Sequence, residues 1–195
     1  MKFTIKDYIE QHNAVVGNLD QDEIENAILL IKNTIEKGGR VAVCGNGGSA
    51  VAASHYITDW NKMVYAYTNV RFNGICLSDN VGLITAYAND LSYEDVFSEQ
   101  VKNLLNKDDL LITLSGSGNS ENVVKATIVA KSMSVKTLTI CGYDGGKLKQ
   151  VSDNSVWIRS MDMQLCEDAH TVFGHMVMKN LCGSDIVAWD LPRNE

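Results

Sequence analysis

Two segments of the chain are rich in glycine and serine, and each follows an apolar run that is typical of a buried strand. Residues 45–50 read GNGGSA and follow the run 41–44, whereas residues 115–120 read SGSGNS and follow the run 110–114. Glycine lets a backbone approach a ligand closely, and the free N–H groups at a helix start attract anions. Neutral hydroxyl and amide donors without Lys or Arg suit a single phosphate monoester better than a triphosphate. The second segment therefore predicts a phosphate site, although one of its serines also fits a helix cap.

The first glycine segment has other interpretations. It satisfies GxGxxG/A, but a dinucleotide site also needs an acidic residue about 20 positions on, and Asp79 comes too late. A Walker loop is excluded because no Gly-Lys-Ser/Thr follows. A glycine segment that stands alone is more often a tight turn, so its significance here depends on the serine segment.

The side chains that could bind a metal or move protons include four histidines. His55 and Asp59 lie four residues apart and so share one face of a helix, where they fit either a shared metal or a surface hydrogen bond. Glu167 and His175 lie roughly 12 Å apart along a continuous helix, which is too far for one metal. Either the helix begins after Glu167, or the two residues reach the site from different subunits. We favour a site across a subunit interface.

The other two histidines are expected to lie away from this site. His12 lies on the apolar stripe of the first helix and is interpreted as a packed or interface residue. His170 is five residues from His175, which turns it about 140° away on a helix, so a different environment is expected.

Strands must alternate with helices to position these residues. Apolar runs predict strands at 41–44, 74–77, 110–114, 136–141 and 155–158, while 3.6-residue periodicity predicts helices at 5–16, 24–35, 50–60, 80–87, 93–105, 121–133 and 167–182. The fold class is α/β: a parallel sheet with helices on both faces and an N-terminal helical arm. We expect one domain over 1–195, divided into an arm (1–38), a core (40–182) and a loosely ordered tail (183–195). Ligands of such sheets bind beyond the carboxyl ends of the strands, where both segments begin.

Composition excludes several classes of function. The chain has 195 residues, 45% of them hydrophobic, and a formal charge of −7, which gives nucleic-acid or anionic-membrane binding no electrostatic support. No apolar run approaches the roughly 18 residues of a membrane helix, and the first residues lack the apolar region of a signal peptide. The five cysteines are odd in number and form no CxxC pair. A reduced, cytoplasmic protein is expected.

Together these motifs resemble the sugar isomerase (SIS) domain family, in its phosphoheptose isomerase branch. The resemblance rests on GNGGS at 45–49, SGSGNS at 115–120, AND at 88–90 before YEDVF, and EDAH at 167–170, together with His55 and His175. It implies a single SIS domain that converts sedoheptulose 7-phosphate to D-glycero-D-manno-heptose 7-phosphate through an enediol. It further implies one zinc or other divalent ion per subunit, and a homotetramer with active sites between subunits.

The resemblance also implies roles for individual residues. The positions that bind zinc in the family match His55, Asp59, Glu167 and His175, and those of Asp59 and His175 also move protons. Asp59 stands where the family has Glu, and Glu167 where it has Gln, so a shorter carboxylate and an added charge bear on substrate preference. The substrate-binding set is Asn46, Gly47, Gly48, Ser49, Asn89, Asp90, Ser115, Gly116, Ser117, Ser120 and Glu167. For Asn89 and Asp90, a turn before the next helix has nearly equal weight.

Two alternatives remain open. A non-catalytic SIS module would bind a sugar phosphate or a protein partner such as a replication initiator, but would have no use for four convergent ligands. A nicotinamide enzyme is less favoured, because the acidic residue that binds the ribose is not in the required place.

Overall fold

The computed structural model describes residues 3–183, and in that range five parallel strands form one sheet. The strands are β1 (Val41–Gly45), β2 (Gly74–Cys76), β3 (Leu110–Ser115), β4 (Lys136–Cys141) and β5 (Asn154–Trp157). Their order across the sheet is β2-β1-β3-β4-β5. The chain thus proceeds from β1 to one side and then returns to the other, so the order reverses between β1 and β3. The register pairs Gly45 with Leu114, which places the starts of the glycine and serine segments side by side.

Eight helices surround this sheet in the described part of the chain. They are α1 (Ile5–Gly17), α2 (Gln21–Glu36), α3 (Gly48–Thr68), α4 (Val81–Asp90), α5 (Ser98–Leu104), α6 (Glu121–Ser132), α7 (Gly146–Val151) and α8 (Met163–Cys182), with a 3₁₀ turn at Tyr93–Asp95. None of them is long and apolar enough to cross a membrane.

The core has two layers because the central strands are buried on both faces. Alternate residues of β3, such as Ile112 and Leu114, pack with α2, α3 and α8 on one face. Leu111 points to the opposite face and packs with α5 and α6. By contrast, α1 contributes no fully buried residue and is an arm that contacts the core only through its last turns, at Val15 and Val16. The expected α/β class, with helices on both faces of a parallel sheet, is confirmed.

Several helix bounds differ from the sequence expectation. The predicted helix at 93–105 is divided into the 3₁₀ turn and α5, because Asp95 accepts hydrogen bonds from the hydroxyl of Ser92, at 2.7 Å, and from the hydroxyl of Ser98. Such local side-chain bonds compete with regular helix. α3 continues to Thr68, eight residues beyond the predicted end, and α7 was not predicted.

The start of α8 shows whether Glu167 and His175 lie on the same helix. Asp162 caps the helix by accepting hydrogen bonds from the backbone of Gln164 and Leu165, so the helix begins at Met163 and not at Glu167. Glu167 and His175 therefore lie on one continuous helix. Of the predicted tail, residues 184–195 lie outside the described part of the chain.

Candidate functional site

The serine segment is a tight turn whose hydroxyl groups are oriented by the backbone. The N–H of Gly118 donates to Ser115 Oγ at 3.1 Å, and the N–H of Asn119 donates to Ser117 Oγ at 3.2 Å. Because each hydroxyl oxygen accepts a backbone N–H, its own hydrogen remains available to donate to a ligand. The segment leads into α6, where Ser120 is the cap residue but makes no side-chain capping bond. This arrangement presents several neutral donors beside a helix N-terminus, as an anion site requires.

The unpredicted helix α7 supports this turn. Its Leu148 N–H donates to the Gly118 carbonyl at 3.0 Å, and its Lys147 N–H donates to Asn119 Oδ1 at 3.1 Å. Gly118 has a φ of +67°, and a Cβ there would lie 2.2 Å from the Gly145 carbonyl oxygen. Only glycine therefore fits this contact.

The serine segment and the glycine segment line one cleft with a volume of about 270 Å³. Glu167 enters from α8 and closes the cleft over the start of α3. A Cβ on Gly48 would lie 2.2 Å from Glu167 Oε1, so the carboxylate occupies the space that a side chain at position 48 would need. The lining residues are Asn46, Gly47, Gly48, Ser49, Leu114, Ser115, Gly116, Ser117, Ser120, Met163 and Glu167, among which there is no Lys or Arg.

Asn46 is held in this cleft by Asn122, which the sequence analysis did not single out, and by Tyr93, which it quoted only as part of the YEDVF motif. Its side-chain amide makes a reciprocal pair of hydrogen bonds with that of Asn122, at 2.8 and 2.9 Å. The hydroxyl of Tyr93 also donates to Asn46 Oδ1, at 3.0 Å. Nothing in the spacing of these three residues indicates the contact, because they belong to three separate elements.

A second cluster lies further along α3 and α8 and consists of His55, Asp59 and His175, which we call the His-Asp-His triad. His55 Nε2 is 3.1 Å from both Asp59 Oδ2 and His175 Nε2, and His175 Nε2 is 3.8 Å from Asp59 Oδ2. Ligand atoms on a tetrahedral zinc with bonds of about 2.0–2.1 Å lie ~3.4 Å apart, so these separations fit one such ion. All three side chains are accessible: 49%, 28% and 46% of their surfaces are exposed, in chain order.

The positions of the two clusters follow from the side-by-side packing of α3 and α8. Glu167 faces the start of α3 at Gly48, whereas His175 faces His55 farther along it. Trp60 Nε1 donates to the carbonyl of Gly174 at 3.0 Å and helps to fix the alignment. We call the cleft between the serine and glycine segments the serine cleft, and the line of contact between α3 and α8 the seam. Because the two helices run in the same direction, the serine cleft and the triad lie roughly 12 Å apart along the seam.

The predicted four-ligand set is therefore only partly brought together in one chain. Within the described residues, the triad is the group that could hold a metal, and Glu167 is not part of it. Within one chain, Glu167 lines the same cleft as the serine segment while His175 joins His55, and the expectation that ligands reach one site from two subunits stays a prediction.

Asn89 and Asp90 are not in either cluster. They form the exposed end of α4, where Asn89 Nδ2 donates to Asp90 Oδ1 at 2.7 Å. They thus belong to a helix and not to the turn that was the alternative, and neither residue lines the cleft of the serine segment, so their polyol-binding role stays a prediction.

Two acidic residues outside the predicted set contact the site elements. Asp79, at the carboxyl end of β2, accepts a hydrogen bond from Ser54 Oγ at 3.2 Å and lines a second cleft with His55 and Asp59. Asp168 accepts from Tyr8 at 2.6 Å and ties the α1 arm to α8. This bond raises the pKa of Tyr8 to about 12. An acidic side chain next to a ligand segment is too common a sequence signal to identify either contact.

The chain is similar in sequence and in fold to several known proteins. Residues 7–142 match the family model described as the SIS domain. Phosphoheptose isomerase from Helicobacter pylori strain P12 is 37% identical over 174 residues, covering 88% of this chain and 90% of that protein. The structure of a phosphoheptose isomerase from Francisella tularensis matches with a TM-score of 0.83 at 29% identity, covering 91% and 95% of the two chains. Phosphoheptose isomerase GmhA from Neisseria gonorrhoeae matches with a TM-score of 0.82 at 23% identity, covering 91% and 96%, which shows the shared fold.

Proposed function

The chain belongs to the SIS domain family, in its phosphoheptose isomerase branch of aldose-ketose isomerases, and we propose that it interconverts sedoheptulose 7-phosphate and D-glycero-D-manno-heptose 7-phosphate. The observation that carries the proposal is the placement of a cleft lined by serine donors and an imidazole-carboxylate triad along the same helix seam. A sugar phosphate has one anionic end and one reactive end, so it needs a site of each kind at a separation that matches its length.

The serine cleft binds the phosphate in this proposal. Ser115, Ser117 and Ser120 donate hydroxyl hydrogens to its oxygens, and the α6 N-terminus adds a favourable partial charge. The sugar chain then extends along the seam between α3 and α8 toward the triad. Glu167 accepts hydrogen bonds from sugar hydroxyl groups between the two ends, because its carboxylate lines the cleft and can only accept when ionised.

Asp59 and His175 carry the proton transfers. The Asp59 carboxylate removes a proton from C1 of the ketose, which leaves an enediol, and returns a proton to C2 of the aldose. His175 moves the accompanying hydroxyl proton from O1 to O2, so that atoms and charge balance over the whole reaction. His55 lies 3.1 Å from both groups and holds them in place.

The triad also fits a divalent metal, held by His55, Asp59 and His175 with a position open to substrate. A zinc or similar ion in that place supplies Lewis-acid polarisation of the sugar oxygens. We propose one ion per chain, with Glu167 acting on the sugar and not on the ion.

We further propose that the protein acts as a homo-oligomer, most simply a tetramer. None of the α1 side chains is fully buried, and its Ile5 and Ile9 are 82% and 52% exposed. Exposed apolar residues of this kind, on a helix that is bonded to α8 through Tyr8 and Asp168, suit a surface that a second copy covers. Light scattering of the purified protein should give a mass several times 21.4 kDa, and a monomer would contradict this part of the proposal.

The decisive experiment measures isomerisation of sedoheptulose 7-phosphate, with products separated by ion-pairing chromatography, with and without a chelator. Asp59→Asn should reduce turnover by at least roughly 10³-fold, because the amide cannot accept the proton, while thermal unfolding of the metal-free protein stays unchanged. Asp108→Asn, in the exposed loop before β3, is the matched control and should turn over normally. If the wild type with added metal turns over no heptose or hexose phosphate, the isomerase proposal fails and a binding module is favoured.

A further inference from the structure

The side-chain amide of Asn46 lines an open cleft, yet its orientation is fixed by three hydrogen bonds to other side chains. An amide group has two N–H donors and one oxygen with two lone pairs. Both lone pairs of Asn46 Oδ1 are engaged, by Asn122 Nδ2 at 2.9 Å and by the Tyr93 hydroxyl at 3.0 Å. One N–H donates to Asn122 Oδ1 at 2.8 Å. A single N–H therefore remains to face a ligand in the cleft.

The orientation of this amide pair is set by the backbone of α6. The N–H of Val123 is shared between Asn122 Oδ1 and the Ser120 carbonyl, each at 3.0 Å, and a backbone N–H can only donate, so an amide NH2 group in the place of Asn122 Oδ1 would oppose it. The oxygen of Asn122 must lie on that side, so its Nδ2 group must face Asn46 Oδ1. The Asn46 amide is thereby fixed in turn. Asn122 itself is only 3% exposed, so water does not compete strongly for these bonds.

We propose that Asn122 is a positioning residue for the isomerase reaction and that the Tyr93 hydroxyl supports it with a second hydrogen bond to Asn46 Oδ1. It makes Asn46 present one N–H to an acceptor oxygen of the sugar, either a hydroxyl or the carbonyl. This inference rests on the proposed function. It also links the two ligand segments, because Asn46 belongs to the glycine segment and Asn122 to the helix that follows the serine segment.

The proposal predicts an order of effects that a structural role would not give. Asn122→Asp keeps the shape but replaces the Nδ2 donor by an oxygen, so Asn46 Oδ1 faces an acceptor, the reciprocal pair is broken, and repulsion displaces the Asn46 amide from its position. Asn122→Ala only releases the amide to rotate. We expect kcat/KM for the sugar phosphate to fall roughly 10-fold in the alanine variant and roughly 100-fold in the aspartate variant. A role in packing alone predicts the reverse, because aspartate fills the space and alanine does not.

Two more variants refine the test: Tyr93→Phe, and a control variant on α6, the helix that carries Asn122. Removing the Tyr93 hydroxyl leaves the amide pair intact, so a fall of about 3-fold is expected. Thr127 is buried on α6 and donates to the Val123 carbonyl at 3.0 Å, more than one turn beyond Asn122. Thr127→Val should cost stability comparable to that lost in the alanine variant while retaining the wild-type kcat/KM.

Two phosphate-binding measurements distinguish a positioned sugar contact from damage to the phosphate site. The affinity for inorganic phosphate, measured by calorimetry, should be unchanged in Asn122→Ala and reduced less than turnover in Asn122→Asp. Equal losses would mean that the phosphate site itself was damaged and would overturn the proposal, as would wild-type kcat/KM in both variants.

A spectroscopic readout makes the inference independent of turnover. The side-chain amide signal of Asn46 in ¹⁵N-labelled protein should be distinct and protected from exchange in the wild type, and averaged in Asn122→Ala. If the wild type fails to isomerise the sugar but shows this difference, the proposed function fails while the fixed amide stands. If the Asn46 signal is the same in both proteins, the positioning proposal fails whatever the activity.

Discussion

His170 is the histidine whose chemistry depends most on burial. Its side chain is fully buried against the sheet, and neither ring nitrogen has a hydrogen-bond partner of good geometry among the described residues. Loss of hydration lowers the pKa of His170 to about 4, although the nearby Ile140 carbonyl opposes the shift. The sequence correctly separated this residue from His175 by helical rotation, but it could not show that the ring enters the core.

This buried imidazole predicts acid sensitivity of the fold. The unfolded chain binds the proton near pH 6.5 and the folded chain only near pH 4. The contribution of His170 to stability is therefore complete above pH 6.5, declines as the pH falls to 4, and is constant below that. Relative to His170→Leu, the wild type should lose about 3 kcal/mol of unfolding free energy across this window.

Urea unfolding at a series of pH values measures this difference. Phe173→Leu, a buried change one turn along α8 that removes no titrating group, should lower stability by a similar amount at every pH. Parallel pH dependence of the wild type and His170→Leu would show that the ring does not remain neutral in the folded protein.

At the scale of elements, the serine turn depends on a helix that the sequence did not reveal. α7 has six residues and begins after Gly145, whose φ is +89°, so its pattern is too short and too rich in glycine to show helical periodicity. The long elements were predictable because their apolar residues repeat over several turns or fill a whole strand. The same limit applies to Asn122 and Tyr93: a contact between three elements has no signature along the chain.

Gly118→Ala tests the support that α7 gives to the turn. The new Cβ would lie 2.2 Å from the Gly145 carbonyl oxygen at a backbone φ of +67°, so the two backbones must separate. We expect a loss of about 2 kcal/mol or more in unfolding free energy and a large loss of phosphate affinity. Chemical denaturation and phosphate calorimetry measure the two effects.

Gly17→Ala provides the comparison, because a Cβ added there, at the end of α1, would meet no atom within 4 Å. It should leave stability nearly unchanged or slightly raised, with unchanged phosphate affinity. Gly118→Ala protein with wild-type phosphate affinity would show that α7 does not shape the site.

At the scale of the whole molecule, the parallel α/β class was the most predictable feature and the composition of the metal group the least. Alternation of strands and helices was sufficient for a parallel sheet, and the reversal of strand order is the reason that two distant segments share a cleft. Family resemblance placed Glu167 with the triad. The distance along α8 already argued against a single-chain site of that composition, and within one chain the packing of α3 on α8 brings His55, Asp59 and His175 together without Glu167.

Because Glu167 and the triad lie in separate clusters, the effect of a metal ion on the stability of the fold can be predicted for each. An ion that binds only the folded protein stabilises it by about 2.7 kcal/mol at a free concentration 100 times its Kd, which corresponds to ~5–10 °C in the unfolding temperature of a chain this long. Zinc should therefore raise the unfolding temperature of the wild type, and chelator should reverse the effect. His175→Ala should abolish the rise, because it removes one of the three ligands. His12→Ala, which removes a histidine of the α1 arm, should retain it.

Glu167→Gln tests whether the Glu167 carboxylate acts on the sugar in the serine cleft or binds the metal ion of the triad. If Glu167 acts only in the serine cleft, the glutamine variant should show the full zinc-dependent rise while its KM for the sugar phosphate changes. If Glu167 binds the ion, from the same chain or from a neighbouring one, the rise should shrink as it does in His175→Ala. Because both variants are compared by the same thermal measurement, the result does not depend on which sugar the enzyme prefers, and it tests the assignment of the two clusters directly.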